Sequence, residues 1–230
     1  MRLRDIPRLR DPRLLWQRLV LYSKRVVPRI PWQDVEDFPR LWPQSKKRTL
    51  VDEARAQMLY QLARHASCLD GAFAEIGVYR GGTAKILAHV ADSRERKLHL
   101  FDTFQGMPET DIDRDLLGAG DFADTSLAEV KRFLAPHASP IFHQGEFPAT
   151  AGPVENERFS LVHVDADIAS SVEACCEFFY PRLVPGGVIV FDDYGFTSTP
   201  GAKTTADAFF AKKPEPLLHL VTAQAIAIKQ

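Results

Sequence analysis

The 230-residue chain has few cysteines, no excess of charge of either sign and no long apolar run. Its three cysteines show no metal-ligand spacing, and we expect them to be small buried residues in a reducing compartment, with the cytoplasm as the default. The net charge of −1 argues against a nucleic-acid binder. No segment reaches the roughly 18–20 apolar residues of a membrane-spanning helix, and we recognise no secretory signal.

Residues 1–30 differ from the rest by a basic bias, with nine Arg and Lys against two Asp. The apolar residues between these charges have helical spacing: Leu14, Leu15, Trp16, Leu19, Val20 and Tyr22. A basic helical arm of this kind packs on the body or on a second subunit, or it makes a peripheral contact with the inner face of an anionic membrane. Three prolines predict an irregular connector over 31–48, and the main domain then spans 49–230.

From residue 49 onward, short apolar runs alternate with helical patterns, which predicts an α/β fold with a parallel sheet covered on both faces. The predicted strands are 72–76, 98–101, 141–143, 159–164, 187–191, 217–220 and 225–228. The predicted helices are 49–66 with Thr49 as N-cap, 83–91, 125–134, 170–183 and 201–211. The last two strands must be antiparallel to each other, because parallel neighbours need a long crossover.

Carboxylates follow two of the predicted strands, with Asp165 after one and Asp192 and Asp193 after the next. In open α/β sheets, ligands bind at the carboxyl ends of the strands. Acidic groups crowded at that edge repel each other unless a cation or a proton neutralises them. Because hard oxygen ligands suit Mg²⁺, Mn²⁺ or Ca²⁺ better than zinc, the sequence predicts a divalent-metal site.

A glycine-containing turn, residues 75–82, follows the first predicted strand and precedes a helix. Such a turn is a structural feature in many folds, but it also lets a ligand approach the backbone at the positive end of a helix. Glu75 would repel a pyrophosphate and suits an ammonium group, which favours an amino-acid moiety over a dinucleotide. Asp102 ends the second strand, where nucleotide folds bind ribose hydroxyls. Together these two features indicate an adenosine-containing cofactor.

Five segments of the chain, four of which contain the motifs above, resemble segments of the macrocin O-methyltransferase family. The segments that carry the resemblance are 75–82, 101–108 (FDTFQGMP), 163–167 (HVDAD), 180–187 (YPRLVPGG) and 191–195 (FDDYG). Members of that family are S-adenosylmethionine- and Mg²⁺-dependent enzymes that methylate hydroxyls, typically on sugars of glycosylated natural products. The resemblance covers about residues 49–230. It implies a Rossmann-like class I methyltransferase fold, with a seven-stranded, mostly parallel sheet whose last strand is antiparallel.

The resemblance also implies roles for individual residues. It places at the cofactor Glu75, Gly77 and Gly81 (methionine end), Asp102 (ribose), and Ser126 and Gly145 (adenine). It makes Asp165, Asp192 and Asp193 the ligands of Mg²⁺, with Mn²⁺ as the alternative ion, and Asp167 the general base. Three carboxylates on an octahedral ion leave room for an acceptor with vicinal hydroxyls. Because family members are often oligomeric, the resemblance also implies a homo-oligomer.

The sequence leaves the acceptor open. Where many relatives carry Leu-Tyr-Glu/Asp-Ser after the DxD motif, residues 168–171 are Ile-Ala-Ser-Ser. A methyltransferase for a catechol-like diol would use the same metal chemistry. The pair Asp165 and Asp167 also resembles the DxD motif of metal-dependent nucleotide-sugar glycosyltransferases, although that function leaves the glycine turn unexplained. We expect His163, in an apolar strand, to be a hydrogen-bonded structural residue.

Overall fold

Seven strands form one sheet in the computed structural model, which describes residues 37–230. The strands are β1 Ala72–Ile76, β2 Leu98–Asp102, β3 Pro140–Gln144, β4 Phe159–Val164, β5 Leu183–Phe191, β6 Leu218–His219 and β7 Ala225–Ile228. Their order across the sheet is β3-β2-β1-β4-β5-β7-β6. Strand β7 runs antiparallel to both of its neighbours, whereas the other paired strands are parallel. The predicted fold class is confirmed.

Helices connect the strands, as the alternating pattern predicts. They are α1 Phe38–Ser45, α2 Glu53–Ala66, α3 Gly82–Asp92, α4 Leu127–Leu134, α5 Ala169–Phe179 and α6 Pro200–Phe210. Short 3₁₀ turns occur at Gly152–Val154 and Tyr180–Arg182. No helix within residues 37–230 is long and apolar enough to cross a membrane. The predicted basic arm, with its membrane or subunit contact, lies outside the described residues.

Helix α2 starts later than the sequence predicts. Its N-cap is Asp52, whose side chain accepts hydrogen bonds from the backbone N–H groups of Ala54 and Arg55 at 2.9 and 3.0 Å. The predicted cap at Thr49 is wrong, because that hydroxyl accepts from Val51 N–H in the turn before the helix. The chain therefore turns at residues 49–52, and this turn reaches the candidate site described below.

Two further boundaries differ from the predictions in segments that contain proline. The predicted irregular connector contains helix α1, in which Pro39 occupies the first turn, where its missing N–H costs no hydrogen bond. The predicted helix 170–183 ends at Phe179, since Pro181 lies in a separate 3₁₀ turn before β5. Cys68 is exposed, contrary to prediction, while the cysteines of α5 are buried as expected.

The register of the central strands brings the predicted acids together. Strands β1, β4 and β5 are adjacent, with Ile76 opposite Val164 and Val164 opposite Phe191. The ladder continues one residue further, because Asp165 N–H donates to the Ile76 carbonyl and Asp192 N–H to the Val164 carbonyl, each at 2.9 Å. The strand order reverses between β1 and β4, so these acids lie at the edge where open α/β sheets bind ligands.

Candidate active site

A cavity of about 270 Å³ lies at the carboxyl ends of the central strands. Six of the ten predicted site residues line it: Gly77, Asp102, Gly145, Asp165, Asp167 and Asp193. Four do not: Glu75, Gly81, Ser126 and Asp192. The glycine turn, the ribose-binding candidate and three of the four predicted acids therefore share one cavity.

The glycine turn is held against the acidic strand end by contacts that only glycine permits. Gly77 has φ +86°, and a Cβ atom there would lie 1.8 Å from the carbonyl oxygen of Asp165. One carboxylate oxygen of Asp102 accepts from the N–H groups of Val78 and Tyr79 at 2.7 and 2.8 Å. Asp102 therefore shapes the turn from the neighbouring strand. A carboxylate has about four acceptor positions, so acceptor capacity remains for a ligand hydroxyl.

The other predicted cofactor residues differ in their access to the cavity. Gly81 takes a left-handed conformation as the N-cap of α3, and Ser126 caps α4. Thr125, which belongs to the segment that the resemblance places near the adenine, lines the cavity in place of Ser126, and its hydroxyl donates to the Tyr79 carbonyl. Gly145 lines the cavity directly after β3. The adenine-side roles of Ser126 and Gly145 stay predictions.

Three carboxylates form a cluster suited to a metal ion. Asp165, Asp192 and Asp193 each offer one oxygen, and these oxygens lie within 4.8 Å of one another. Burial and the repulsion from its two neighbours raise the pKa of Asp165 well above its usual value. Burial and the Asp192 charge raise the pKa of Asp193 to about 7. One oxygen of Asp193, Oδ2, is buried and has no hydrogen-bond partner within residues 37–230. An oxygen-only donor set with an unpaired buried oxygen fits a hard divalent cation.

Asp167 is positioned to face the cavity from the turn after β4. It is a non-glycine residue with φ +59°, a conformation that aspartate tolerates better than most side chains. Burial and the charges of Asp193 and Asp192 raise the pKa of Asp167 to about 8. With this pKa the carboxyl is largely protonated near neutral pH in the metal-free chain, and a cation bound nearby would lower the pKa again, so the general-base role stays a prediction.

Asp192 is enclosed by donors from three parts of the chain. Its Oδ2 accepts from the Arg55 guanidinium, and its Oδ1 accepts from Gln224 Nε2 at 2.7 Å and lies 3.4 Å from His163 Nε2. Although burial opposes ionisation, the His163 hydrogen bond and the nearby cations keep the pKa of Asp192 below its usual value. Arg55 and Gln224 were not predicted as site residues, because neither lies near the acids in sequence.

His163 connects the metal cluster to the first strand. Its Nδ1 lies 2.9 Å from Glu75 Oε1, and both side chains are fully buried. Burial disfavours the charged ring, yet hydrogen bonds to Asp192 and Glu75 raise the pKa of His163 well above its usual value. The predicted structural role of His163 is confirmed by these bonds. Glu75, expected at the cofactor's ammonium group, lies beneath the cavity lining, and that contact stays a prediction.

Comparison with known proteins identifies the family. The family model described as Macrocin-O-methyltransferase (TylF) matches residues 32–220. The chain belongs to the macrocin O-methyltransferase family. The match confirms the resemblance found in the sequence, and it starts before the predicted domain boundary at residue 49. It also decides against the glycosyltransferase alternative.

Two curated relatives support the same assignment, and one solved structure shares the fold. The mycinamicin III 3''-O-methyltransferase of Micromonospora griseorubida is 28% identical over 177 residues, which are 69% of this chain and 68% of the relative. The 8-demethyl-8-(2,3-dimethoxy-alpha-L-rhamnosyl)-tetracenomycin-C 4'-O-methyltransferase of Streptomyces olivaceus is 28% identical over 180 residues, 71% of this chain and 69% of the relative. A calicheamicin methyltransferase shares the fold with a TM-score of 0.69 and 21% identity, covering 95% of this chain and 93% of that one. The chain is an O-methyltransferase.

Proposed function

We propose that this chain transfers the methyl group of S-adenosylmethionine to a hydroxyl of a sugar or a glycosylated natural product, with Mg²⁺ held by the carboxylate cluster. The observation that carries the proposal is that two members of the cluster, Asp165 and Asp193, line the same cavity as the glycine turn. Both relatives are named as O-methyltransferases, and the name of the Streptomyces olivaceus relative includes a rhamnosyl group on its substrate, which supports a sugar acceptor.

The cofactor would extend from the glycine turn toward Asp102. Gly77 allows a close backbone approach at the start of α3, whose positive end faces the same edge. Asp102 would accept from the ribose hydroxyls, and Thr125 and Gly145, which line the cavity, would lie on the adenine side. Gly81 and Ser126 would support this surface as helix caps, and Glu75 through its contact with His163.

Asp165, Asp192 and Asp193 would hold Mg²⁺ or Mn²⁺, which when bound supplies a positive charge that lowers the pKa of the acceptor hydroxyl. Methyl transfer is an in-line displacement, so the cavity must align the acceptor oxygen, the methyl carbon and the sulfur. The new bond joins oxygen to the methyl carbon as the carbon–sulfur bond breaks, and the sulfur keeps that electron pair. Asp167 would take the hydroxyl proton.

The remaining cavity lining suits a carbohydrate. It includes apolar groups on Leu50 and Phe196 and hydroxyl groups on Ser171 and Ser198. A sugar ring has apolar faces and hydroxyl edges, so this mixture would contact both. The small residues Ala169, Ser170 and Ser171 form the start of α5, and Ser171 is part of this lining.

The test is a transfer assay with S-adenosylmethionine labelled in its methyl group. Sugar glycosides and catechols would serve as acceptors, each in Mg²⁺ and in EDTA. We expect product with a glycoside and Mg²⁺, and a loss of about 10²–10⁴-fold in kcat for Asp167→Asn with cofactor binding retained. Equal turnover in EDTA would refute the metal half of the proposal, and transfer to catechols alone would refute the sugar half.

A further inference from the structure

The acidic cluster already contacts a cation that belongs to the chain. The guanidinium of Arg55, on the first turn of α2, donates to Asp192 Oδ2. Its Nε donates to Asp52 Oδ2 at 3.0 Å and its Nη2 to the Leu50 carbonyl at 3.1 Å. Its carbon Cζ lies 4.7 Å from the centroid of the Phe196 ring. Four partners therefore fix the orientation of this side chain.

The ion pair between Arg55 and Asp192 is buried, which strengthens its electrostatic interaction. The Asp192 side chain has no exposed surface, and that of Arg55 is 10% exposed. Arginine keeps its charge under all ordinary conditions, so it cannot relieve the repulsion of an arriving cation by losing a proton. A fixed positive charge beside a candidate metal ligand neutralises that ligand and also opposes binding of a second cation there.

We propose that Arg55 is the internal counter-cation of the metal cluster: it holds Asp192 in place when no metal is bound, and it weakens the binding of a divalent ion. Arg55 acts through Asp192 and is therefore a positioning residue. The inference rests on the metal half of the proposed function. It adds that the metal affinity of the cluster is set partly by a residue outside the carboxylate motifs.

The proposal predicts opposite effects on stability and on metal affinity. Removing the charge leaves the carboxylates with less compensation, so the metal-free protein should lose stability. The same change removes the repulsion, so the divalent ion should bind more tightly. A purely structural arginine would give a different pattern, because loss of a scaffold contact would lower stability and weaken metal binding together.

The experiment is titration calorimetry of Mn²⁺ into the metal-stripped full chain. Arg55→Gln removes the charge and keeps a donor for Asp192, whereas Arg55→Lys keeps the charge. Arg64→Gln is the matched control, because it removes one positive charge from the exposed side of the same helix. We expect Kd to fall about tenfold or more for Arg55→Gln and to change by less than about threefold for the other two variants.

Melting temperatures in EDTA and in saturating Mn²⁺ provide the second measurement. In EDTA, Arg55→Gln should melt roughly 10 °C below the unsubstituted protein. Saturating Mn²⁺ should raise the melting temperature of Arg55→Gln by more than it raises that of the unsubstituted protein. If this variant folds only with metal, it is purified with Mn²⁺ and its Kd is measured by competition with a chelator.

Unchanged or weaker Mn²⁺ binding by Arg55→Gln, with the unsubstituted chain binding normally, would overturn this inference and leave the proposed function intact. Failure of the unsubstituted chain to bind Mn²⁺ or Mg²⁺ would overturn the metal half of the proposed function and this inference with it. The two failures are therefore distinguishable.

Discussion

Substitution of Gly77 by alanine tests how the cofactor turn is joined to the metal cluster. The new methyl group would lie 1.8 Å from the carbonyl oxygen of Asp165, where ordinary contacts exceed 3.0 Å, and backbone rather than a flexible side chain would have to move. The φ of +86° adds a further cost, about 1–2 kcal/mol for an L-residue. With about 1–3 kcal/mol for the steric overlap, we expect a loss of roughly 2–5 kcal/mol in the free energy of unfolding.

Two other glycines separate the contributions to this loss. Gly120 has the same φ of +86°, but no atom lies within 4 Å of the place that an added methyl group would take, so Gly120→Ala should cost only the conformational part, about 1–2 kcal/mol. Gly152 has neither a positive φ nor a neighbour within 4 Å, so Gly152→Ala should be neutral or stabilising by up to about 1 kcal/mol.

The assay is urea unfolding followed by circular dichroism, with calorimetry of S-adenosylhomocysteine and Mn²⁺ binding on the same samples. Gly77→Ala should lose stability and both ligands, because displacement of the Asp165 carbonyl moves the strand end that carries the cluster. If Gly77→Ala costs no more than Gly120→Ala and binds both ligands normally, the close approach of turn and strand is refuted.

Three further perturbations probe other parts of the structure. Asp102→Ala should weaken S-adenosylhomocysteine binding at least tenfold by calorimetry, because it removes the acceptor that shapes the turn; an unchanged Kd would exclude Asp102 from the site. Burial and the neighbouring His143 lower the pKa of His99 to about 4 from 6.5, so its contribution to stability is full above pH 6.5 and is lost as the pH falls toward 4. That loss is up to about 3 kcal/mol in the free energy of unfolding. Measured by urea unfolding between pH 6.5 and 4, this free energy should fall less steeply for His99→Gln than for the unsubstituted protein. An identical slope for the two proteins would contradict the lowered pKa of His99. Asp115, in the segment 103–123 between β2 and α4, accepts a hydrogen bond from the first N–H of α5 at 2.9 Å. Asp115→Ala should therefore lower the free energy of unfolding by about 1–2 kcal/mol and speed proteolysis within that segment. Asp113→Ala, which changes an exposed aspartate of the same segment, should do neither.

The strands and the acidic cluster were predictable because both follow from local sequence patterns. Buried parallel strands have continuous apolar runs, and their carboxyl ends meet at one edge of the sheet. Asp165, Asp192 and Asp193 therefore had to lie close together once β4 and β5 were adjacent. The glycine turn was recognisable for a similar reason, since Gly77 is required by its positive φ and by the approach of the next strand.

The partners of the cluster were not predictable because they come from distant parts of the chain. Arg55 lies 137 residues before Asp192, and Gln224 lies in the turn between the last two strands. No local pattern marks either as a neighbour of a carboxylate. His163 was expected to be a hydrogen-bonded structural residue. Its partners, Glu75 and Asp192, could not be predicted, because they depend on the register of β1, β4 and β5.

Helix boundaries were wrong where local signals compete. Thr49 and Asp52 are both good N-cap residues, and the aspartate forms the cap because its carboxylate reaches two N–H groups. Prolines suggested an irregular segment before residue 49, yet one of them occupies the first turn of α1, where proline is tolerated.

The central claim is that three carboxylates at one sheet edge hold a divalent ion, and Mn²⁺ binding measured by electron paramagnetic resonance tests it most directly. We expect one Mn²⁺ per chain in the unsubstituted protein and loss of that site in Asp193→Asn, whose replaced carboxylate carries the unpaired buried oxygen. Asp70→Asn, which removes a fully exposed carboxylate, should bind as before. Absence of a stoichiometric site, or a site unaffected by Asp193→Asn, would contradict the account.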